Sequence, residues 1–66
     1  MRKSRTLYII NVFNRDTGEV YEAKCYWQYG RIAGYCNRMF RKYGERVYCE
    51  VFSDENLERP IEEWGA

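Results

Sequence analysis

Thr6-Leu7-Tyr8-Ile9-Ile10-Asn11-Val12-Phe13 is apolar at odd and even positions alike. Successive side chains of a strand point to opposite faces, so this strand offers two apolar faces, each needing a cover. A chain of 66 residues has little material with which to cover both. We therefore read the first strand, Arg5 to Asn14, as the centre of a small sheet.

Arg15-Asp16-Thr17-Gly18 follows with turn chemistry, Gly18 standing where a positive φ is wanted. The second strand, Glu19 to Trp27, then folds back. The expected register pairs Leu7 with Trp27, Ile9 with Cys25, Asn11 with Ala23 and Phe13 with Tyr21 on one face. On the other it pairs Tyr8 with Tyr26, Ile10 with Lys24 and Val12 with Glu22. The first set is almost wholly apolar and the second is mixed.

Beyond Gln28 the period changes. Ile32, Cys36, Met39, Phe40 and Tyr43 form a helical stripe that starts near Arg31 and ends before Gly44, a residue suited to helix termination. Arg46 to Ser53 alternates again as a third strand. Ser53 reads as an N-cap, and Leu57, Ile61 and Trp64 have the spacing of a short acidic helix. The expected fold is a single α+β domain over residues 1–66: a basic arm (1–5), a ββαβ core (5–53) and a short acidic tail (54–66). A right-handed crossover gives a three-stranded antiparallel sheet of order 2-1-3. One helix packs on the Leu7/Ile9/Cys25/Trp27 face, leaving Tyr8, Ile10, Val12 and Tyr26 for the tail or a second subunit to cover.

Charge is divided along the chain. Residues 1–46 hold ten Lys/Arg and four Asp/Glu, whereas residues 47–66 hold one Arg and six acids. Three cysteines, Cys25, Cys36 and Cys49, are odd in number, widely spaced and set in apolar runs, which fits buried free thiols in a reducing, cytoplasmic setting. Histidine is missing and there is no CxxC, so neither a structural zinc site nor the commonest general base is expected. No cleavable leader or membrane span is expected either, and no catalytic residue or cofactor is assigned.

Binding remains. The face carrying Tyr8, Ile10 and Tyr26, with Leu57, Ile61 and Trp64 of the tail, is the expected contact surface for a protein partner, self-association into a homodimer included. The alternative is nucleic acid. Arg31, Arg38, Arg41 and Lys42 line the outer side of the helix, with Arg2, Lys3 and Arg5 in the arm. Tyr35 and Asn37 lie among them as stacking or hydrogen-bonding groups. In size and element order the chain resembles small dimeric proteins of phages and mobile elements that bind host enzymes or toxins. That likeness is architectural, with no motif to carry it, and assigns no family and no function. The expected function, read from the residues, is a non-catalytic interaction or inhibitory module acting on another protein.

Overall fold

Asn14 starts the hairpin turn. Its side-chain Oδ1 accepts hydrogen bonds from the backbone N–H groups of Asp16 (2.8 Å) and Thr17 (3.0 Å), replacing the ladder that the turn interrupts. Gly18 completes the reversal at φ 80°, a conformation that a Cβ would penalise. The computed structural model describes residues 5–65. Its elements are β1 (Tyr8–Asn14), β2 (Val20–Tyr26), a 3₁₀ turn (Tyr29–Arg31), α1 (Ile32–Tyr43), β3 (Val47–Ser53) and β4 (Glu62–Gly65). The strands form one antiparallel sheet of order β2-β1-β3-β4.

The hairpin register agrees with expectation from Tyr8↔Tyr26 to Val12↔Glu22 and then slips, so that Phe13 faces Val20. The slip is a bulge in β2 at Tyr21 and Glu22, and it turns both side chains toward the helix. The helix ends as its sequence implies. Gly44, at φ 96°, donates its N–H to the Phe40 carbonyl at 2.9 Å, and Arg41 and Lys42 occupy the last turn.

The core lies between α1 and the two central strands. Ile32, Tyr35, Cys36 and Met39 of the helix pack against Ile10 and Val12 of β1 and Val47, Cys49 and Val51 of β3. Helix α1 therefore covers the even-numbered face of β1, opposite to the face expected from the sequence. The physical reason lies in the central pair of strands. The odd face of β1 has Asn11 at its middle, and the β3 residue paired with it is Glu50. Placing a helix there would bury an unpaired carboxylate, at a cost of several kcal/mol. On the even face the paired residues are Ile10 with Val51 and Val12 with Cys49, all fully buried. The polar residues of that face, Glu22 and Lys24, sit on the edge strand, where they reach solvent or a partner.

The tail also differs from expectation. Residues 54–61 run as turns and bends, and Glu62–Gly65 joins the sheet as a fourth strand instead of forming a helix. Ser53 is the last residue of β3 and is buried; it caps no helix. Two forces draw the tail in. The outer edge of β3 offers unpaired backbone groups, and Ile61 donates its N–H to the Val51 carbonyl at 2.7 Å. Trp64, opposite Cys49, then lays its ring against the rim of the core. Leu57 is 62% exposed, whereas Trp64 is partly buried against the core. Cys36 and Cys49 are buried as expected, but Cys25, on the edge strand and the uncovered face, is exposed.

Opposite outcomes follow for two adjacent residues. Ile10→Asp places a carboxylate in the fully buried core and is expected to abolish the cooperative thermal melt followed by circular dichroism. Ile9→Asp lies on the uncovered face and is expected to keep that melt, with a loss of about 1–2 kcal/mol. The reverse result would overturn the face assignment.

Candidate protein-binding face

With α1 on one side, the other side of the sheet has no covering element among the described residues. Pairing fixes what lies on it. One row across the strands runs Cys25, Ile9, Phe52; the next runs Ala23, Asn11, Glu50, Glu63; the third runs Val20, Phe13, Tyr48, Gly65. Two-residue steps along a strand separate neighbouring rows by about 7 Å. The surface thus has a polar, acidic row between two apolar ones. Ile9, Phe13, Tyr48 and Phe52 remain half-exposed because nothing packs above them. Phe13 and Tyr48 meet edge to face at 5.5 Å, which holds that row rigid.

The acidic row is unusual chemistry for its place. Glu50 and Glu63 are direct cross-strand partners, an arrangement that like charges disfavour. The Tyr48 hydroxyl donates to the Glu63 carboxylate, and this bond raises the Tyr48 pKa. The strand positions of this face hold no Lys or Arg.

The surface expected from the sequence is distributed differently. Ile10 has no exposed surface and belongs to the core. Tyr8 and Tyr26 are half-buried on the helix side, Tyr8 edge-on to Tyr29 at 5.5 Å and Tyr26 edge-on to Tyr35 at 5.8 Å. Trp64 lies on the helix side as well, its Nε1 donating to Glu62 at 3.1 Å. Leu57 and Ile61 are exposed in the connection to β4. The six residues do not form one surface. Ile9, Phe13, Tyr48, Glu50, Phe52 and Glu63 do, and the signal that marks them is the Asn11–Glu50 pair.

Of the expected nucleic-acid residues, Arg2 and Lys3 lie outside the described residues. Arg5, Arg31, Arg38, Arg41 and Lys42 are exposed. Tyr35, expected among them on the outer face, is instead only 4% exposed and part of the core. Lys42 is not free: its ammonium binds Glu22 at 2.6 Å. Arg38 rests over the Tyr35 ring at 5.8 Å, and the Arg31 Nε donates to Gln28 at 2.8 Å. Arg5, Trp27, Gln28 and Arg31 line a shallow depression of about 330 Å³ at the end of β2.

Glu22 is the electrostatic hinge of the helix side. Lys42, the Tyr43 hydroxyl (2.6 Å) and the Tyr35 hydroxyl (3.3 Å) all donate to it. The Lys42 bond, then the Tyr43 bond, hold its carboxyl below the ordinary glutamate value. Burial, then the Glu22 charge, push the Tyr35 hydroxyl up, so it stays a neutral donor. Tyr43 also stacks on Tyr21, at 4.4 Å and 3°, which fastens the bulge to the helix.

Among the described residues no group of three or more His, Cys, Asp or Glu is placed to hold a metal ion. No described helix is long and apolar enough to cross a membrane. No protein-family model, curated protein or solved structure matches this chain.

The lowered Glu22 pKa fixes the sign of a pH effect. A carboxyl depressed by folding contributes stability above its unfolded pKa and loses it as pH falls through the folded one. The urea midpoint of Glu22→Gln is expected below that of the wild type at neutral pH. The gap should close as pH drops below 4.5. A gap that persists unchanged in acid would mean that charge at Glu22 is not what joins β2 to the helix.

Proposed function

We propose that this chain is a non-catalytic module that binds another protein through the uncovered face of its sheet. The observation that carries the proposal is the pair of half-exposed apolar rows, Ile9–Phe52 and Phe13–Tyr48, on a surface fixed by backbone pairing across the central strands. Half-exposed apolar rows gathered on one face of a small domain mark an interaction site. Aromatic side chains suit it, because they bring large contact area at small entropic cost. A rigid sheet adds to this, since no ordering has to accompany binding. Two of the three thiols, Cys36 and Cys49, are enclosed in the core, and the sequence has no histidine, so the chain offers little to activate a nucleophile.

The experiment is affinity capture with matched variants. Phe52→Asp changes the face without touching the core, and Leu57→Ala changes an exposed residue elsewhere. Wild type and Leu57→Ala are expected to retain the same protein, while Phe52→Asp retains none. Equal capture by all three would overturn the reading.

A second reading, nucleic-acid binding, draws on the depression where Arg5 and Arg31 flank the exposed indole of Trp27. Phosphates on the arginines and a base on the indole are the chemistry of single-strand recognition. Lys42 is engaged by Glu22, so of the expected nucleic-acid residues that are described, Arg5, Arg31, Arg38 and Arg41 remain for about four phosphate contacts. A titration of fluorescent mixed-sequence DNA and RNA would then weaken about 10²-fold between about 50 and 200 mM salt. Absence of binding at the lower concentration removes this reading.

A further inference from the structure

The protein-binding reading leaves open what chemistry the partner presents, and the layout of the face narrows it. The acidic row lies between the two apolar rows, not at their margin. Any partner that engages both apolar rows must also cover Asn11, Glu50 and Glu63. Two carboxylates placed under a protein surface need a cation, because an unpaired buried charge opposes association. The strand positions of the face supply none; the nearest arginines, Arg15 and Arg46, lie beyond the Phe13–Tyr48 row, and Arg46 is paired with Asp16. A second copy of this chain offers none either: two such faces set together with their apolar rows in contact bring acidic row against acidic row. A symmetric pairing through this face would therefore join four carboxylates at its centre, and like charges across an interface weaken it.

We propose that the uncovered sheet face receives a different protein, one whose surface sets a Lys or Arg side chain on the Glu50–Glu63 pair. Apolar side chains on either side of that cation rest on the Ile9–Phe52 and Phe13–Tyr48 rows. The carboxylates supply selectivity: they turn away a second copy and admit a basic partner. This rests on the protein-binding reading above.

A charge-reversed copy of the chain is itself a suitable probe, since Glu50→Lys/Glu63→Lys keeps the apolar rows and supplies the cations. Wild type, the reversed copy, and the neutral Glu50→Gln/Glu63→Gln chain are first checked for the native circular dichroism spectrum and melt, then sedimented at about 100 µM. Wild type alone and the reversed copy alone are each expected to remain monomeric. An equimolar mixture should form a one-to-one complex that added salt weakens and that Phe52→Asp in either copy abolishes. The neutral chain should self-associate at least about tenfold more tightly than wild type.

Three results would overturn the proposal: a wild-type dimer that Phe52→Asp dissociates, a mixture of folded copies that stays monomeric, or a neutral chain no more associated than wild type. These failures are separable from failure of the protein-binding reading. Capture of a partner that depends on Phe52 would still support the reading while the charge rule fell, and equal capture by Phe52→Asp would remove both.

Discussion

One twelve-residue helix can seal one face of a sheet, and this sheet has two apolar faces. Everything else in the molecule follows from which face receives it. The choice is made in the two central strands, where a side chain has no route to solvent. Ile10, Val12, Val47, Cys49 and Val51 form a layer without a polar atom in their side chains, the thiol apart, and α1 settles there. The alternative layer contains Asn11 and Glu50 side by side. Hydrophobic gain differs little between the layers, since Ile9, Phe13 and Phe52 are as large as the residues that were buried. The desolvation of one carboxylate decides the matter.

That choice sets the role of the edge strands. Under α1, the mixed face of β2 would be a defect if Glu22 lacked a partner. The bulge at Tyr21 and Glu22 and the cation at the end of the helix answer this together. Glu22 reaches Lys42 and two tyrosine hydroxyls, while Tyr21 lies flat on Tyr43. The same contact removes a charge from the helix surface. Basic residues that look alike in the sequence are therefore unequal in the fold: Lys42 closes the hairpin onto the helix, whereas Arg41 points outward with no ion pair among the described residues.

Local signals made the hairpin, the helix and the order of the first three strands legible. Turn residues, a helical stripe and a terminal glycine each act over a few residues and point one way. The face was not legible from the hairpin alone, because the more apolar pattern of Tyr21, Ala23, Cys25 and Trp27 belongs to an edge strand, where polarity carries little penalty. Weighing Asn11 with Glu50 in the centre would have reversed the assignment. Strand β4 was not legible for a different reason. Glu62-Glu63-Trp64-Gly65 has strand propensity at Trp64 alone and takes its conformation from the open edge of β3. Candidate surface residues followed the face: with Ile10 inside, the exposed set had to be the other one.

The uncovered face then poses a physical question of its own. A half-exposed layer of Ile9, Phe13, Tyr48 and Phe52 invites self-association in a chain with free strand edges. Replacing Glu50 and Glu63 by apolar residues would make the layer continuous and a better dimer surface. Keeping them costs the chain some stability, because like charges are held opposite one another in β3 and β4. A cost of that kind is consistent with a surface that must stay open in the free protein and still lose water on binding. The fold makes little use of carboxylates at these positions: the helix packs on the other side, β4 is anchored by its backbone and by Trp64, and the Tyr48 hydroxyl that donates to Glu63 leaves its charge in place. Their location between two apolar rows is therefore better explained by what the face meets than by what holds the sheet together.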